Sequence, residues 1–296
     1  MNRFIIGHFN KFDYNKQNKD FKDEFWGVEV CNFESLEEID KLKNESKSKN
    51  FNIGVHFPLK SGDWRLRDPQ FLCKNHDNRK SSYEYMEKQF QLIKDIGGKY
   101  VLFHYPKPVI LDERVDWTNW RFADNTEFCF EKDYTFEYLK EESEKLFDYL
   151  NNISLTYGLK IILELDAINR YIYDSNFLEE LLEKYTNIKL CLDTGRLHIQ
   201  EVVDPNFDSF KAAEKFAKYT ELVHLWNVKV TEKVQYSHYP ALPNLKIEEG
   251  WAHIEKYLSI INKENKNFKI LFEHDSSLIS EKELNGCYEW ITKIIS

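Results

Sequence analysis

Residues 159–193 have the sequence LKIILELDAINRYIYDSNFLEELLEKYTNIKLCLD. Two apolar runs, Leu159–Glu164 and Ile188–Asp193, flank a segment with helical periodicity at Asn176–Lys184. Continuous apolar runs of this length are typical of parallel strands that are buried on both faces. The stretch therefore predicts a strand–helix–strand unit of a parallel sheet.

The same unit recurs along the whole chain of 296 residues. Eight short apolar runs are visible: Phe4–Ile6, Phe25–Val30, Phe51–His56, Tyr100–His104, Leu159–Glu164, Ile188–Asp193, Leu222–Leu225 and Phe268–Glu273. Seven helical candidates lie between or after them: Leu36–Asn44, Ser82–Gly97, Tyr134–Tyr157, Asn176–Lys184, Phe207–Lys218, Ile247–Ile261 and Lys282–Ile295. Eightfold alternation predicts an α/β fold, a single (β/α)8 TIM barrel over residues 1–296. An open doubly wound sheet is the alternative, but no glycine-rich phosphate fingerprint follows the first strand.

Composition narrows the class of partner. The net charge is −9 with five cysteines, and the sequence pI is about 5.6. An acidic balance without a Lys/Arg block argues against duplex nucleic acid, although a local basic groove stays open as an alternative. The cysteines are spread without a CxxC pair, which argues against a disulfide framework. With no run of about 18 apolar residues and no signal-like opening, we expect a cytoplasmic protein without membrane association.

The longest irregular stretch is Lys107–Lys132, which follows the fourth predicted strand and contains several aromatic residues. Long loops in compact domains are usually functional or mobile. In a barrel this loop would rise from the catalytic face, so we predict a lid. An aromatic patch that packs on its own barrel is the alternative interpretation.

Polar residues interrupt or end six of the apolar runs. They are His56, His104, Glu164, Asp193, His224 and Glu273. Barrel active sites form from the carboxyl ends of several strands. Each of these residues alone could be structural, but three carboxylates and three imidazoles buried together would be costly without a cation. We therefore predict a divalent metal site for Mn²⁺, Mg²⁺, Co²⁺ or Zn²⁺, among which the sequence does not choose.

Four motifs in order give the chain a family resemblance. ILELD (162–166), CLDTGRLH (191–198), VHLWN (223–227) and LFEHD (271–275) together resemble the xylose isomerase-like barrel superfamily. That superfamily includes sugar and sugar-phosphate isomerases and epimerases as well as endonuclease IV. The resemblance implies that Glu164, Asp193, His224 and Glu273 hold one divalent metal. It also implies that Glu164 and Glu273 act as acid and base on opposite faces of the substrate.

Other positions match the endonuclease IV-like members, whose further histidines recruit extra zinc ions. His56, His104 and His238 match those positions, so each is a possible additional metal or substrate ligand. The pattern is incomplete, because Arg196 replaces the usual histidine, with His198 two residues later as a possible substitute. In those members the loop after the seventh strand carries an Asp-x-His motif. Here the motif reads Tyr236-Ser237-His238, so its Asp is missing.

Three residues beside the predicted ligands are candidates for substrate binding. Arg196 could hold a substrate carboxylate, phosphate or hydroxyl group, or could form a salt bridge to a neighbouring carboxylate. Trp226 and Asn227 could line a sugar site, since aromatic faces suit sugar C–H surfaces and amides suit hydroxyl groups. Core packing is the alternative for Trp226.

Three hypotheses for function follow. The first is a metal-dependent isomerase or epimerase that acts on a small sugar, sugar phosphate or related carbonyl compound by proton transfer through an enediolate. The second is an endonuclease IV-like phosphoester hydrolase that cuts at abasic sites. The third is a barrel that binds metal or ligand without turnover, because a fold does not imply a function. The partner we expect is a carbohydrate-like small molecule, and a homo-oligomer is compatible with the aromatic loops.

Overall fold

A computed structural model describes residues 1–62 and 66–296 of the chain. Eight parallel strands close into one barrel: β1 (Phe4–Phe9), β2 (Gly27–Cys31), β3 (Asn52–His56), β4 (Tyr100–Tyr105), β5 (Lys160–Leu165), β6 (Ile188–Asp193), β7 (Thr220–Leu225) and β8 (Lys269–Phe272). Each strand pairs with the next, and β1 pairs with β8. All eight predicted strands are confirmed, and so is the TIM-barrel fold.

Ten helices surround or connect the strands. They are α1 (Tyr14–Asp20), α2 (Leu36–Lys49), α3 (His76–Asp95), α4 (Phe136–Tyr157), α5 (Arg170–Tyr173), α6 (Phe177–Lys184), α7 (Thr194–Val203), α8 (Ser209–Phe216), α9 (Ile254–Glu264) and α10 (Glu281–Ile295) in the described parts of the chain. The predicted helix from Ile247 was wrong at its start, because Gly250 adopts a left-handed φ of 95° and separates a short 3-10 turn from α9. The sequence also missed α1, α5 and α7.

Helix α7 was missed because its first turn depends on a side chain outside it. Asp193, the last residue of β6, accepts a hydrogen bond from the Arg196 backbone N–H over 2.9 Å and so caps the helix. Such a cap satisfies one of the free N–H groups of the first turn. The strand therefore passes directly into α7 without a loop that would signal a boundary.

The barrel interior is filled by side chains below the strand ends. Tyr100, Leu102, Ile162, Cys191 and Leu222 belong to this interior cluster, with Ile5 and Leu271. Gly54 makes room for the Tyr100 ring, since a Cβ at this position would lie 2.0 Å from that ring. A filled lower barrel leaves the carboxyl ends of the strands as the place for a site.

Two small ribbons rise from those strand ends. Val109–Leu111 pairs in parallel with Phe128–Phe130 within the long loop 107–132. Asn227–Val230 pairs with Val234–Tyr239 in a hairpin that continues from β7. No helix in residues 1–62 or 66–296 is long and apolar enough to cross a membrane.

Candidate metal centre

The strand register brings the predicted ligands together. His104 on β4 lies beside Glu164 on β5, and Asp193 on β6 lies beside His224 on β7. Because successive side chains of a strand alternate between its two faces, these polar residues share the interior face at the top of the barrel. Glu273 follows β8 directly and completes the circle.

Three histidine nitrogens converge on a single oxygen of Glu164. The Oε2 atom lies 3.4 Å from His56 Nε2, 3.2 Å from His104 Nε2 and 3.3 Å from His224 Nδ1. Nevertheless this buried oxygen has no hydrogen bond of good geometry, and neither ring nitrogen of His224 has one. Three imidazole nitrogens around one carboxylate oxygen, at ion-pair distances but without good hydrogen-bond geometry, form an arrangement that a shared cation would satisfy.

A second group of ligand atoms shares His224. Asp193, His224 and Glu273 offer one atom each, all within 4.8 Å of one another. The Nδ1 atom of His224 lies 3.3 Å from Glu273 Oε2, the same distance as from Glu164. The side chain of Glu273 is 34% exposed whereas that of Glu164 is 2% exposed. Glu273 is therefore the carboxylate that faces the mouth of the barrel.

The ionisation of these carboxylates depends on their neighbours. Burial and the nearby Glu273 and Glu164 raise the pKa of Asp193 to about 7. Burial also opposes ionisation of Glu273, but His224 lowers the pKa of that carboxyl to about 2. For Glu164 the cost of burial is outweighed by His104 and His224, and its pKa falls well below the usual range. A divalent cation would favour the ionised form of all three groups.

The donor set fits a divalent cation of the kind predicted. Carboxylate oxygens with imidazole nitrogens suit Zn²⁺, Co²⁺ or Mn²⁺. Glu164 Oε2 and His224 Nδ1 are buried polar atoms without hydrogen bonds that a cation would satisfy, whereas His224 Nε2 faces Glu29. Glu164, Asp193, His224 and Glu273 are the side chains that would hold it, and the group formed by His56, His104 and Glu164 is a possible second position.

Arg196 lies among the carboxylates rather than in open solvent. Its Nη1 donates to Asp166 Oδ1 over 2.7 Å, and its Nε lies 3.3 Å from Glu164 Oε1 and 3.8 Å from Asp193 Oδ2. The salt-bridge interpretation from the sequence is therefore the one seen. About a quarter of the side chain remains exposed, so a contact with substrate stays a prediction.

Trp226 and Asn227 have structural partners that the sequence did not reveal. Trp226 is buried, donates its indole N–H to Asp193 Oδ2 over 2.8 Å, and stacks against the His238 ring at 4.2 Å. The Asn227 side-chain oxygen accepts hydrogen bonds from Val228 and Ala252, which fixes the hairpin. Both residues are buried, so Trp226 shows the core packing that was its alternative interpretation, and contact of either residue with a sugar stays a prediction.

Two predicted histidines lie outside the ligand groups. His198 is on α7, and its Nε2 pairs with the Gly250 carbonyl oxygen at 3.0 Å. It therefore does not substitute for the histidine that Arg196 replaces. His238 stacks on Trp226, with its Nδ1 2.9 Å from Ser237 Oγ. No group of potential ligands among residues 1–62 and 66–296 contains His198 or His238.

Four buried charged residues near the centre were not singled out from the sequence: Glu29, Asp68, Lys107 and Asp166. Glu29 accepts a hydrogen bond from Tyr100 over 2.6 Å and lies 3.4 Å from His224 Nε2. A charge inside the apolar run of β2 could have marked Glu29 as a residue of the site. Asp166 follows Glu164 by two residues, a spacing that places both side chains on the same face and could have marked Asp166 as well. Asp68 and Lys107 are in loops, where no periodicity marks them.

The long loop carries a contact to the site. Trp120 is buried and its indole nitrogen lies 3.2 Å from Asp166 Oδ1. Trp117 packs edge-to-face on Trp120 at 5.6 Å. The aromatic residues of the loop thus pack on the barrel, as the alternative interpretation had it. Movement of the loop as a lid remains a prediction.

The chain belongs to the xylose isomerase-like TIM barrel family, whose model matches residues 24–293. A comparison with curated protein sequences finds no match. Among solved structures, the chain is similar to a D-tagatose 3-epimerase-like protein, with a TM-score of 0.63, 16% identity, and coverage of 98% of this chain and 99% of the other.

Two further structures are similar at the level of the fold. The 3-keto-D-glucoside 4-epimerase YcjR from E. coli, in its apo form, has a TM-score of 0.60 at 12% identity and covers 97% of this chain and 98% of its own. The IolI protein with a bound zinc atom has a TM-score of 0.59 at 12% identity, with 98% of each chain covered.

Proposed function

We propose that this protein is a divalent-metal-dependent isomerase or epimerase that acts on a small sugar, sugar phosphate or related carbonyl compound. The observation that carries the proposal is the convergence of Glu164, Asp193, His224 and Glu273 at the mouth of the barrel. Membership of the family and the epimerases among the similar structures support it.

Glu164 and Glu273 are the proposed acid and base. Both carboxylates lie 3.3 Å from the same His224 nitrogen and extend from strand ends separated by two others. Their action on opposite faces of a substrate is what the family resemblance implies. When bound, a divalent cation supplies the positive charge that stabilises negative charge developing on the substrate oxygens. Glu273 is the more accessible of the two, and it can take a proton from a substrate carbon that enters through the mouth.

The remaining residues hold this pair in place. Arg196 occupies one side of Glu164, and the three histidines occupy the other. Trp226 and the α7 backbone fix Asp193. Side chains that are already held in place lose little entropy on reaching the transition state. These contacts therefore favour proton transfer between the carboxylates and a bound substrate.

The test is exchange of substrate α-protons with solvent deuterium, screened over ketoses and ketose phosphates with Mn²⁺, Co²⁺, Mg²⁺ or Zn²⁺ added. We expect exchange with at least one substrate in the wild-type protein and loss of at least 100-fold in Glu273→Gln. Glu141→Gln, on the exposed surface of α4, is the matched control. Equal exchange in wild type and Glu273→Gln would refute the role of Glu273, and no exchange with any substrate would count against an isomerase.

The group formed by His56, His104 and Glu164 favours a second candidate, a phosphoester hydrolase with more than one metal ion. Paired metal ions about 3.5–4 Å apart stabilise both oxygens of a displacement at phosphorus. Two observations count against the hydrolase. Arg196, beside Asp193, stands where the endonuclease IV-like members have a histidine, and His238 and His198 lie outside the ligand groups. Two or more zinc ions per chain, with cleavage of an abasic duplex that His104→Ala abolishes, would favour the hydrolase.

A further inference from the structure

Six side chains form a closed ring beside the candidate metal centre. From Glu164 the ring passes to Arg196 (3.3 Å), Asp166 (2.7 Å), Lys107 (3.0 Å), Asp68 (3.2 Å), His104 (2.8 Å) and back to Glu164 (3.2 Å). Acidic and basic groups alternate around it. We infer that this ring fixes the orientation of Glu164 and His104, and that Lys107 is a positioning residue of the centre.

Burial makes the contacts of this ring depend on one another. Lys107, Asp68 and Asp166 are each less than 5% exposed, so none can replace a lost partner with bulk water. Lys107 is the group that joins the two carboxylates, with its Nζ 3.2 Å from Asp68 and 3.0 Å from Asp166. Asp68 keeps Arg67, whose Nε lies 3.2 Å from it, and Asp166 keeps Arg196. Loss of Lys107 would therefore leave each carboxylate with one cationic partner fewer, and the remaining contacts of this buried set would rearrange.

Each neighbour of Lys107 holds a residue that touches the centre. Asp68 pairs with His104 Nδ1, which directs the other ring nitrogen of His104 towards Glu164. Asp166 accepts from Arg196 and holds that guanidinium 3.3 Å from Glu164 Oε1, so Glu164 Oε2 remains for a cation. Carboxylate partners of ligand histidines orient the ring in this way at metal sites generally.

Lys107 itself contacts no candidate ligand of the four-residue set. It begins the long loop, and a second residue of that loop, Trp120, also bonds to Asp166. The loop is thus attached to the centre at Asp166 by an ion pair and a hydrogen bond. A change in the loop at Lys107 should therefore alter the geometry of the centre without removing a ligand.

The test uses the full chain with Co²⁺, whose visible absorption reports ligand number and geometry. This inference rests on the proposed metal centre. We expect Lys107→Met to lower Co²⁺ affinity about 10–100-fold, the usual effect of losing an outer partner of a ligand, and to change the Co²⁺ spectrum. Lys107→Arg keeps the charge and should recover most of the affinity. Lys145→Met is the matched control, because Lys145 also pairs with two carboxylates but is exposed.

The outcomes distinguish failure of the positioning role from failure of the metal centre. If wild type binds Co²⁺ and Lys107→Met binds it with unchanged affinity and spectrum, the positioning role is refuted and the metal centre stands. If wild type binds no Co²⁺, the metal centre fails and the positioning role falls with it. Should Lys107→Met not fold, the near-isosteric Asp166→Asn removes the ion pairs of that carboxylate with both Lys107 and Arg196, and a loss of affinity at least as large is expected.

Discussion

The indole N–H of Trp226 donates to the Oδ2 atom of Asp193 over 2.8 Å, so an aromatic residue after β7 holds a candidate ligand at the end of β6. The other oxygen of Asp193 accepts from the first turn of α7. A carboxylate has about four lone pairs, and both oxygens thus retain capacity for a cation. We predict that Trp226→Phe, which removes the donor and keeps most of the ring, lowers Zn²⁺ affinity about tenfold. Competition titration against a zinc chelator measures this affinity.

The control for that change is Trp290→Phe on α10, a tryptophan that is partly buried against the hydrophobic core. It should leave Zn²⁺ affinity unaltered. Equal affinity in wild type and Trp226→Phe would mean that the indole N–H does not hold Asp193 for metal binding.

Gly195 permits the close approach of α7 to the same indole ring. A Cβ at Gly195 would lie 2.3 Å from Trp226. Because overpacking of a well-packed core typically costs 1–3 kcal/mol, we predict that Gly195→Ala lowers the free energy of unfolding by about 2 kcal/mol and weakens Zn²⁺ binding. Urea unfolding measures the first effect.

Gly286→Ala is the matched control for Gly195→Ala. Gly286 is inside α10, and a Cβ there would meet nothing within 4 Å. An alanine should stabilise this helix by roughly 0.5–1 kcal/mol. If Gly195→Ala were also stabilising, the close packing of α7 on Trp226 would be contradicted.

Bound metal should stabilise the fold, because it compensates the buried carboxylates Glu164 and Asp193 together with Glu273. A ligand at 100 times its dissociation constant stabilises the native state by about 2.7 kcal/mol. We predict that Zn²⁺ or Co²⁺ raises the melting temperature of wild type, that a chelator reverses the rise, and that His224→Asn abolishes it. Thermal unfolding followed by circular dichroism is the measurement.

The control for metal stabilisation is His76→Asn, which removes an exposed histidine on α3. Its melting temperature should rise with metal as in wild type. A rise that persists in His224→Asn would place the stabilising metal elsewhere on the molecule.

His8 at the end of β1 should make stability sensitive to acid. Its Nδ1 accepts from the Asp13 backbone N–H at 3.2 Å and its Nε2 pairs with Gln17 at 2.9 Å, so the neutral ring is satisfied on both sides. Burial lowers the pKa of His8 to about 4. An unfolded histidine titrates near 6.5. Below that pH the unfolded chain binds a proton that the folded chain does not, so stability present above pH 6.5 is lost as the pH falls towards 4.

We predict that His8→Asn reduces this pH dependence by up to about 1.4 kcal/mol per pH unit. Urea unfolding at a series of pH values from 7.5 to 5 gives the slope. The His76→Asn control should keep the wild-type slope. Identical slopes in wild type and His8→Asn would show that the imidazole of His8 is not held neutral.

Local pattern was sufficient for most of the barrel. The eight strands could be predicted because strands buried on both faces must be apolar throughout, and the exceptions at their ends mark the catalytic face. Helix α7 could not be predicted, since its first turn is capped by Asp193, the last residue of a strand. The apolar pattern of the strands also located Glu164, Asp193, His224 and Glu273, because each of these residues ends or interrupts an apolar run.

Contacts between distant segments of the chain decided which residues surround the candidate ligands. Asp68 and Lys107 stand in the loops after β3 and β4, and the pairing of these two strands brings Asp68 within 3.2 Å of Lys107 and beside His104. The tertiary structure also shows that Trp226 donates a hydrogen bond to Asp193 and that His198 pairs with the Gly250 carbonyl oxygen, outside the ligand groups. By itself, the sequence determined the barrel and the polar residues at its mouth, because burial imposes a periodic pattern along each strand. Only the tertiary structure decided which of these groups meet, because hydrogen bonds and ion pairs depend on distances between segments that no local pattern encodes.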